Sequence, residues 1–385
     1  MNISAAPFTP RIAPLTVLLF LGLQGADATL AAAWGVLALG AFGCASCGML
    51  DLQRPLSRIE WGMLGMVGAC ALSIAFGVDA RHSLQLSVPA LASALLWILI
   101  VRARRAPSMA LHVVLGLLLA AVAQLALLLL AAQRAPGTTA PQWVAGAGAA
   151  WLVVPNDVAW IACVLPLLAA LARQRERAVL AVALLAYLGV CVLLRSRSAA
   201  LVALAAAALS ELLAAVRVPQ PRWRWPAAFA AAGTLGACAL LAFASMRARL
   251  QLWTAAWSIF LDHPLTGVGL HDFVIVYRQY LPDDAQLVDP RLTPWPHQLL
   301  LEIAAECGVI GVLAALILVA AVWRQAVRAP FAPLHRRVVA GLCGMLLLAL
   351  VEATLLRQWV WLLGTALCAL LTLEAGERDK GKQQE

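Results

Sequence analysis

Apolar residues run along this chain in long stretches, separated by short clusters of arginine, proline and glycine. The runs lie near 12–24, 29–50, 59–77, 84–101, 109–132, 157–172, 178–194, 199–216, 226–245, 298–323, 336–352 and 356–373. A bilayer core is crossed by about 20 apolar residues in helical form, so these runs read as spanning helices. The alternating apolar and polar positions of a membrane barrel are absent. The pattern predicts an all-α, polytopic integral membrane helical bundle of about 12 transmembrane helices. Residues 1–385 are expected to form a single integral membrane domain, with no soluble domain and no internal repeat. The first run lacks a credible cleavage site beside it and is expected to remain as a helix.

Composition supports this reading. The 385 residues are 63% hydrophobic and 12% charged, and a water-soluble domain carries about 25% charged residues. The net charge of +9 invites a nucleic-acid reading, but its distribution fits membrane orientation better. With the N-terminus placed in the cytoplasm, Arg81, Arg134, Arg195, Arg197, Arg247, Arg249, Arg278, Arg291 and Arg357 fall outside. The rest of the 28 basic residues lie in short inside segments, as orientation by positive charge requires. Both termini are therefore expected in the cytoplasm, residues 374–385 forming a cytoplasmic tail. No nucleic-acid partner is expected, and membrane lipids are. The nine cysteines lie mostly inside apolar runs; Cys44 and Cys47 form a CxxC without a partner pair, which reads as buried thiols.

The segments are unequal in length as well as charge. One outside segment, 245–297, is far longer than any inside loop, and a second, near 133–156, carries Pro, Gly and Thr. Function is expected on that face. The long loop opens with an amphipathic stretch in which Trp253 and Trp257 share a face suited to the lipid–water interface. Asp262 and Pro264 close it, a GVG turn follows, and a second short helix is predicted beyond.

Outside arginines stand where orientation disfavours them. Arg195 and Arg197, in "LLRSRSAALVAL", occupy a tight hairpin between two spans, where a guanidinium must snorkel, face water or pair with an anion. Arg249 begins the amphipathic helix. His297, in "PWPHQLLLEIAAECGVIG", sits at the start of a long apolar helix. The positive end of the helix dipole disfavours an imidazolium there and favours a neutral ring able to accept a proton. Glu302 and Glu306 follow at i,i+4 spacing on one face. Such carboxylates are costly in a span and are expected to meet a substrate or an outside arginine such as Arg249. Asp157, in "VPNDVAW", is expected to cap its helix or to line the same cavity. Neither HxxxH nor HExxH occurs, so no metal site is expected.

The order "SRSA", "RLQLW", "HPLTGVGLHDF", "PHQLLLEIAAECGVIG" resembles the O-antigen ligase and polymerase superfamily of bacterial inner-membrane glycosyltransferases. "VPNDVAW" and "VEATLL" resemble family segments more loosely, and the similarity spans roughly 153–356. The family has a serine-arginine segment at a span's outer edge, an arginine before a tryptophan helix, a P-x-x-G-x-G turn and a helix-opening histidine. Arg197 matches the first arginine, Arg249 the second and His297 the histidine. Gln298 departs from the commoner Asn, and a second histidine two residues before His297 is missing.

The resemblance implies a GT-C-like bundle whose large periplasmic loop, 245–297, contains short helices. It implies transfer of a glycan from an undecaprenyl-diphosphate-linked donor to a lipid A-core or other hydroxyl acceptor, inverting and without metal or other cofactor. His297 would be the catalytic base, and Arg197, Arg249, Arg195 and Glu306 would contact substrate on the periplasmic face of the inner membrane. Length and the one dominant outer loop favour an O-antigen ligase. An O-antigen polymerase or a protein-glycosylating oligosaccharyltransferase of the same superfamily stays open. A lipid-linked-oligosaccharide transporter fits less well, because its charges are expected near the midplane of repeated halves.

Overall fold

The computed structural model describes residues 11–103, 108–135, 137–152, 154–171, 175–215, 246–281, 295–328 and 333–382. It is all-helical, with no strand among the described residues. In chain order the helices are α1 (Ile12–Leu23), α2 (Leu30–Ser46), α3 (Arg58–Phe76), α4 (Ala80–Leu86), α5 (Val88–Val101), α6 (Met109–Arg134), α7 (Ala140–Ala147), α8 (Ala159–Leu171), α9 (Glu176–Leu194) and α10 (Arg197–Ala215). They continue as α11 (Met246–Asp262), a short turn of helix at Phe273–Val276, α12 (Leu299–Arg328), α13 (Pro333–Val351) and α14 (Gln358–Lys382).

Each predicted run coincides with a helix, except 226–245, which lies outside the described residues. Among the described residues, six helices are long and apolar enough to cross a membrane, or up to seven if the bent pair α4–α5 counts as one span. The segments Ile12–Leu23, Pro155–Leu171 and Gln358–Leu373 are apolar but shorter. Many large apolar side chains on these helices, such as Leu39, Phe42, Val182, Leu185 and Val192, face outward. That is the surface a lipid solvent permits and water does not.

Polar contacts gather at the helix ends, in two separate sets. At one end Ser57 caps α3 in a capping box with Glu60, and Glu60 accepts from Arg102 at 2.6 Å and from the Trp97 indole at 3.2 Å. Arg337 there reaches Glu176 at 2.8 Å and Glu211 at 3.2 Å. All these arginines belong to the set predicted for inside loops. At the other end lie Arg195, Arg249 and Arg357, from the set predicted outside. Arg247 and Arg291, also in that set, fall on side chains outside the description.

One break in a helix shapes the second end. Within α12, Gly308 has φ 64° and ψ −162°, so the helical ladder opens and carbonyls upstream of it lose their partners. The "HPLTGVG" turn after α11 supplies replacements. Val268 N–H donates to Ala305 at 3.0 Å and Gly269 N–H to Glu306 at 3.2 Å, while Val309 N–H returns to Pro264 at 2.8 Å. Only glycine permits this approach: a Cβ on Gly267 would stand 2.2 Å from the Glu306 carbonyl carbon, and one on Gly308 2.3 Å from the Leu265 oxygen. The P-x-x-G-x-G turn at 264–269 and the helix break around Gly308, distant in sequence, are thus two halves of one joint.

Candidate functional site

The joint sets the long loop against the bundle. Glu306, 1% exposed, accepts the backbone N–H of His271 at 2.9 Å and of Phe273 at 3.4 Å, and its own carbonyl accepts the Ser73 hydroxyl at 2.5 Å. Asp272, also buried, accepts the backbone N–H of Asp79 and pairs with His82, both at 2.9 Å. Beside them His271 is sealed from solvent, and among the described residues neither ring nitrogen has a hydrogen-bond partner. Burial, assisted by nearby His82, lowers its pKa to about 4, so the ring is neutral near pH 7.

From this support α12 runs back to Leu299, directly after His297 and Gln298. Gln298 accepts the Leu301 N–H through its side-chain oxygen, capping the helix. His297 just before it adopts φ 54°, a left-handed conformation uncommon outside glycine and often found at functional positions. Its neighbours hold it there. Trp253 of α11 donates its indole N–H to the Pro296 carbonyl at 2.7 Å, and the Trp295 ring lies 4.9 Å from the imidazole. Trp253 therefore serves the loop, whereas Trp257, predicted on the same interfacial face, remains half exposed.

The imidazole meets a carboxylate that lies between α13 and α14. His297 Nδ1 is 3.3 Å from Oε1 of Glu352, an ion-pair distance. The other oxygen, Oε2, accepts from Arg249 at 2.9 Å. All three are nearly buried, at 3% exposure for His297, 6% for Arg249 and 5% for Glu352. Burial alone would raise the Glu352 carboxyl, but His297 and Arg249 outweigh it and hold its pKa at about 2. Nε2 of His297 has no hydrogen-bond partner among the described residues. A ring with one nitrogen beside a fixed anion and the other unengaged is arranged to take up a proton.

The turn bearing Glu352 is itself anchored. Glu302 accepts from the Thr354 hydroxyl at 2.6 Å and the Leu355 N–H at 2.8 Å. Neither Glu302 nor Glu306 pairs with Arg249, whose carboxylate is Glu352. A few residues on, Arg357 stacks over the face of Trp295 at 4.7 Å and lies 3.3 Å from Asp157. Asp157 both caps, accepting the Val154 N–H at 2.9 Å, and accepts the Trp359 indole at 3.2 Å. Asn156 alongside accepts the Ser196 hydroxyl at 2.9 Å, which brings the Arg195–Arg197 hairpin to this end. Arg195 has φ 55° and, like Arg197, is exposed.

Of the residues singled out from the sequence, Arg249 and His297 converge directly. Arg195 and Arg197 adjoin through Ser196, and Glu306 acts on the backbone of the loop. Glu352, Trp295 and Arg357 were not singled out for chemistry. The signal existed for Glu352, a lone carboxylate between two apolar runs. An apolar cavity of about 520 Å³ lies between α3, α5, α12, α13 and α14. It extends from Glu60 and Arg102 at the far end to Leu299, Ile303 and Leu355, the neighbours of His297, Glu302 and Glu352.

A family model described as O-antigen ligase matches residues 161–316. The matched stretch contains Arg195, Arg197, Arg249, His297 and Glu306 and ends before Glu352 and Arg357. No curated protein matches the chain.

Proposed function

Because this multi-pass membrane protein belongs to the O-antigen ligase superfamily, we propose that it is an O-antigen ligase. It transfers polysaccharide from undecaprenyl diphosphate to a lipid A-core hydroxyl on the periplasmic face of the inner membrane. The chain acts as one integral domain over 1–385 of about 12 spans, GT-C-like, with both termini and the tail 374–385 cytoplasmic and the loop 245–297 periplasmic.

One observation carries the reading: Arg249 and His297 meet on the single buried carboxylate Glu352. In the proposed reaction the acceptor hydroxyl attacks the anomeric carbon from the face opposite the diphosphate. Its proton passes to Nε2 of His297, while Glu352 beside Nδ1 stabilises the imidazolium that forms. The bond from the anomeric carbon to the diphosphate breaks with its electron pair on phosphate oxygen, and attack from the opposite face inverts configuration. Arg249, Arg197 and Arg195 hold the departing diphosphate, guanidinium forks suiting phosphate oxygens. These cations supply the charge stabilisation, so the reaction is read as metal-independent. Glu306 contributes by holding the loop in place. The apolar cavity beside the cluster supports a donor that arrives on a lipid.

The test is the glycan profile of a strain carrying His297→Ala, with the carrier-linked pool measured alongside. Unattached polymer accumulating on its lipid carrier is the result expected, with the variant protein still folded and membrane-inserted. Attached single repeat units would mean a polymerase instead. Normal attachment would remove His297 from the mechanism. Transfer by purified protein in micelles, where there is no compartment to cross, separates an enzyme from a transporter.

A further inference from the structure

Arg357 lies beyond the stretch matched to the family model, and its surroundings are unusual for a bracing arginine. It stacks on Trp295, whose other contact is the His297 ring. Its side chain is 11% exposed. Among the described residues neither Nε nor Nη2 finds a hydrogen-bond acceptor. A structural arginine commonly uses its fork bidentately on a carboxylate. Asp157 does not offer that: Oδ2 accepts the Val154 N–H and Oδ1 the Trp359 indole. The guanidinium therefore sits with Nε 3.3 Å from an anion already engaged by other donors, held by one ring face, with Nε and Nη2 lacking a hydrogen-bond acceptor among the described residues. Leaving such donors unmade is costly, and a ligand accounts for an orphaned polar group. Arg249, by contrast, has its carboxylate partner in Glu352.

We propose that Arg357 is a further donor-binding residue, whose guanidinium, stacked on Trp295 beside His297, takes the diphosphate of the lipid-linked donor. The proposal rests on the transferase reading above. It divides the labour across one tryptophan: the imidazole receives the acceptor's proton, and Arg357 donates hydrogen bonds to the phosphate oxygen that keeps the electron pair of the breaking bond. Trp295 fixes the spacing between the two, since its ring contacts both. A planar, permanently charged group is needed for this, because lysine neither stacks in the same way nor presents a fork.

The experiment uses the full-length protein purified in lipid nanodiscs, with a glycan-bearing polyprenyl diphosphate as donor and inorganic diphosphate as competitive inhibitor. Arg357→Lys and Arg357→Gln are expected to raise both KM for the donor and the inhibition constant for inorganic diphosphate by at least ~10-fold. Asp157→Asn removes the anion beside the guanidinium but leaves its donors, and is expected to keep the inhibition constant within about 3-fold. A bracing role predicts the reverse pattern, with inhibition unchanged by the Arg357 variants, or weakened as much by Asp157→Asn; either result overturns the proposal. Melting temperatures of each variant identify any that fails to fold, and the conservative lysine variant then decides. Should the unsubstituted protein transfer glycan from no diphosphate donor, the transferase reading itself fails, before any variant is compared.

Discussion

His297 and Glu352 stand 3.3 Å apart although one precedes α12 and the other lies in the turn between α13 and α14, and the carboxylate is held ionised by its neighbours, with a pKa at about 2. Glu352→Gln keeps the shape and removes the charge. Transfer is expected to fall by ~10²-fold, the scale of general-base assistance. Because the carboxyl is ionised well below neutrality, the parent carries this anion from pH 5 to pH 8, and the loss of rate in the variant reports the missing charge and not a titration of Glu352. Kinetics of the purified variant across that range check this, and a variant with normal rates would show that the anion is irrelevant to the ring.

Arg249 gives Glu352 its second partner at 2.9 Å. Arg249→Lys retains a positive charge but not the fork, so donor binding is expected to weaken by roughly 10-fold. Arg249→Ala should do more, leaving a buried carboxylate with less compensation, a loss of about 3–5 kcal/mol in comparable pairs. Thermal unfolding separates the two effects: the lysine variant should melt near the parent protein and the alanine variant well below it.

The joint between the loop and α12 admits no side chain at Gly267, where φ is +69° and a Cβ would lie 2.2 Å from the Glu306 carbonyl carbon. Gly267→Ala is expected to undock the loop and, with it, the Trp253–Pro296 bond that supports His297. Protease cleavage within 245–297 should rise and transfer should drop by more than ~10-fold. Unchanged cleavage and activity would mean that the loop tolerates the displacement.

His271 provides a pH dependence of stability. Its folded pKa, about 4, lies below the ordinary value of 6.5 because the ring is buried near His82. Between those two values the unfolded chain binds more protons, so stability rises with pH. It is therefore fully present above about pH 6.5 and is lost progressively as pH falls towards 4, by a few kcal/mol at most. Asp272 and Glu306 lie close by through the same turn, so the comparison that isolates the ring is with His271→Asn. Melting curves from pH 7 to pH 4 should fall more steeply for the parent than for the variant; parallel curves would rule the effect out.

Local pattern alone made the helices legible. Runs of apolar residues near 59–77, 109–132 and 298–323 correspond to α3, α6 and α12, because helix formation in lipid follows from length and apolarity within one segment. The sorting of arginines was legible for a similar reason: Arg102 and Arg337 lie at one end of the bundle, Arg249 and Arg357 at the other. His297 and Arg249 stood out as polar groups in costly places. What each of them touches was not legible. Glu302 and Glu306, one turn apart on α12, appear as rivals for Arg249, yet backbone N–H groups of two different loops engage them, together with the Thr354 hydroxyl for Glu302.

The chain's own order of residues thus determined the helical bundle, the two classes of helix end and the presence of a basic, histidine-bearing rim. Tertiary structure alone decided that Glu352 joins Arg249 across 103 positions and that the Trp295 ring contacts both an imidazole and Arg357. The reason is physical: helix formation is governed by neighbours along the chain, whereas the partner of a buried charge is whichever group packing delivers to it.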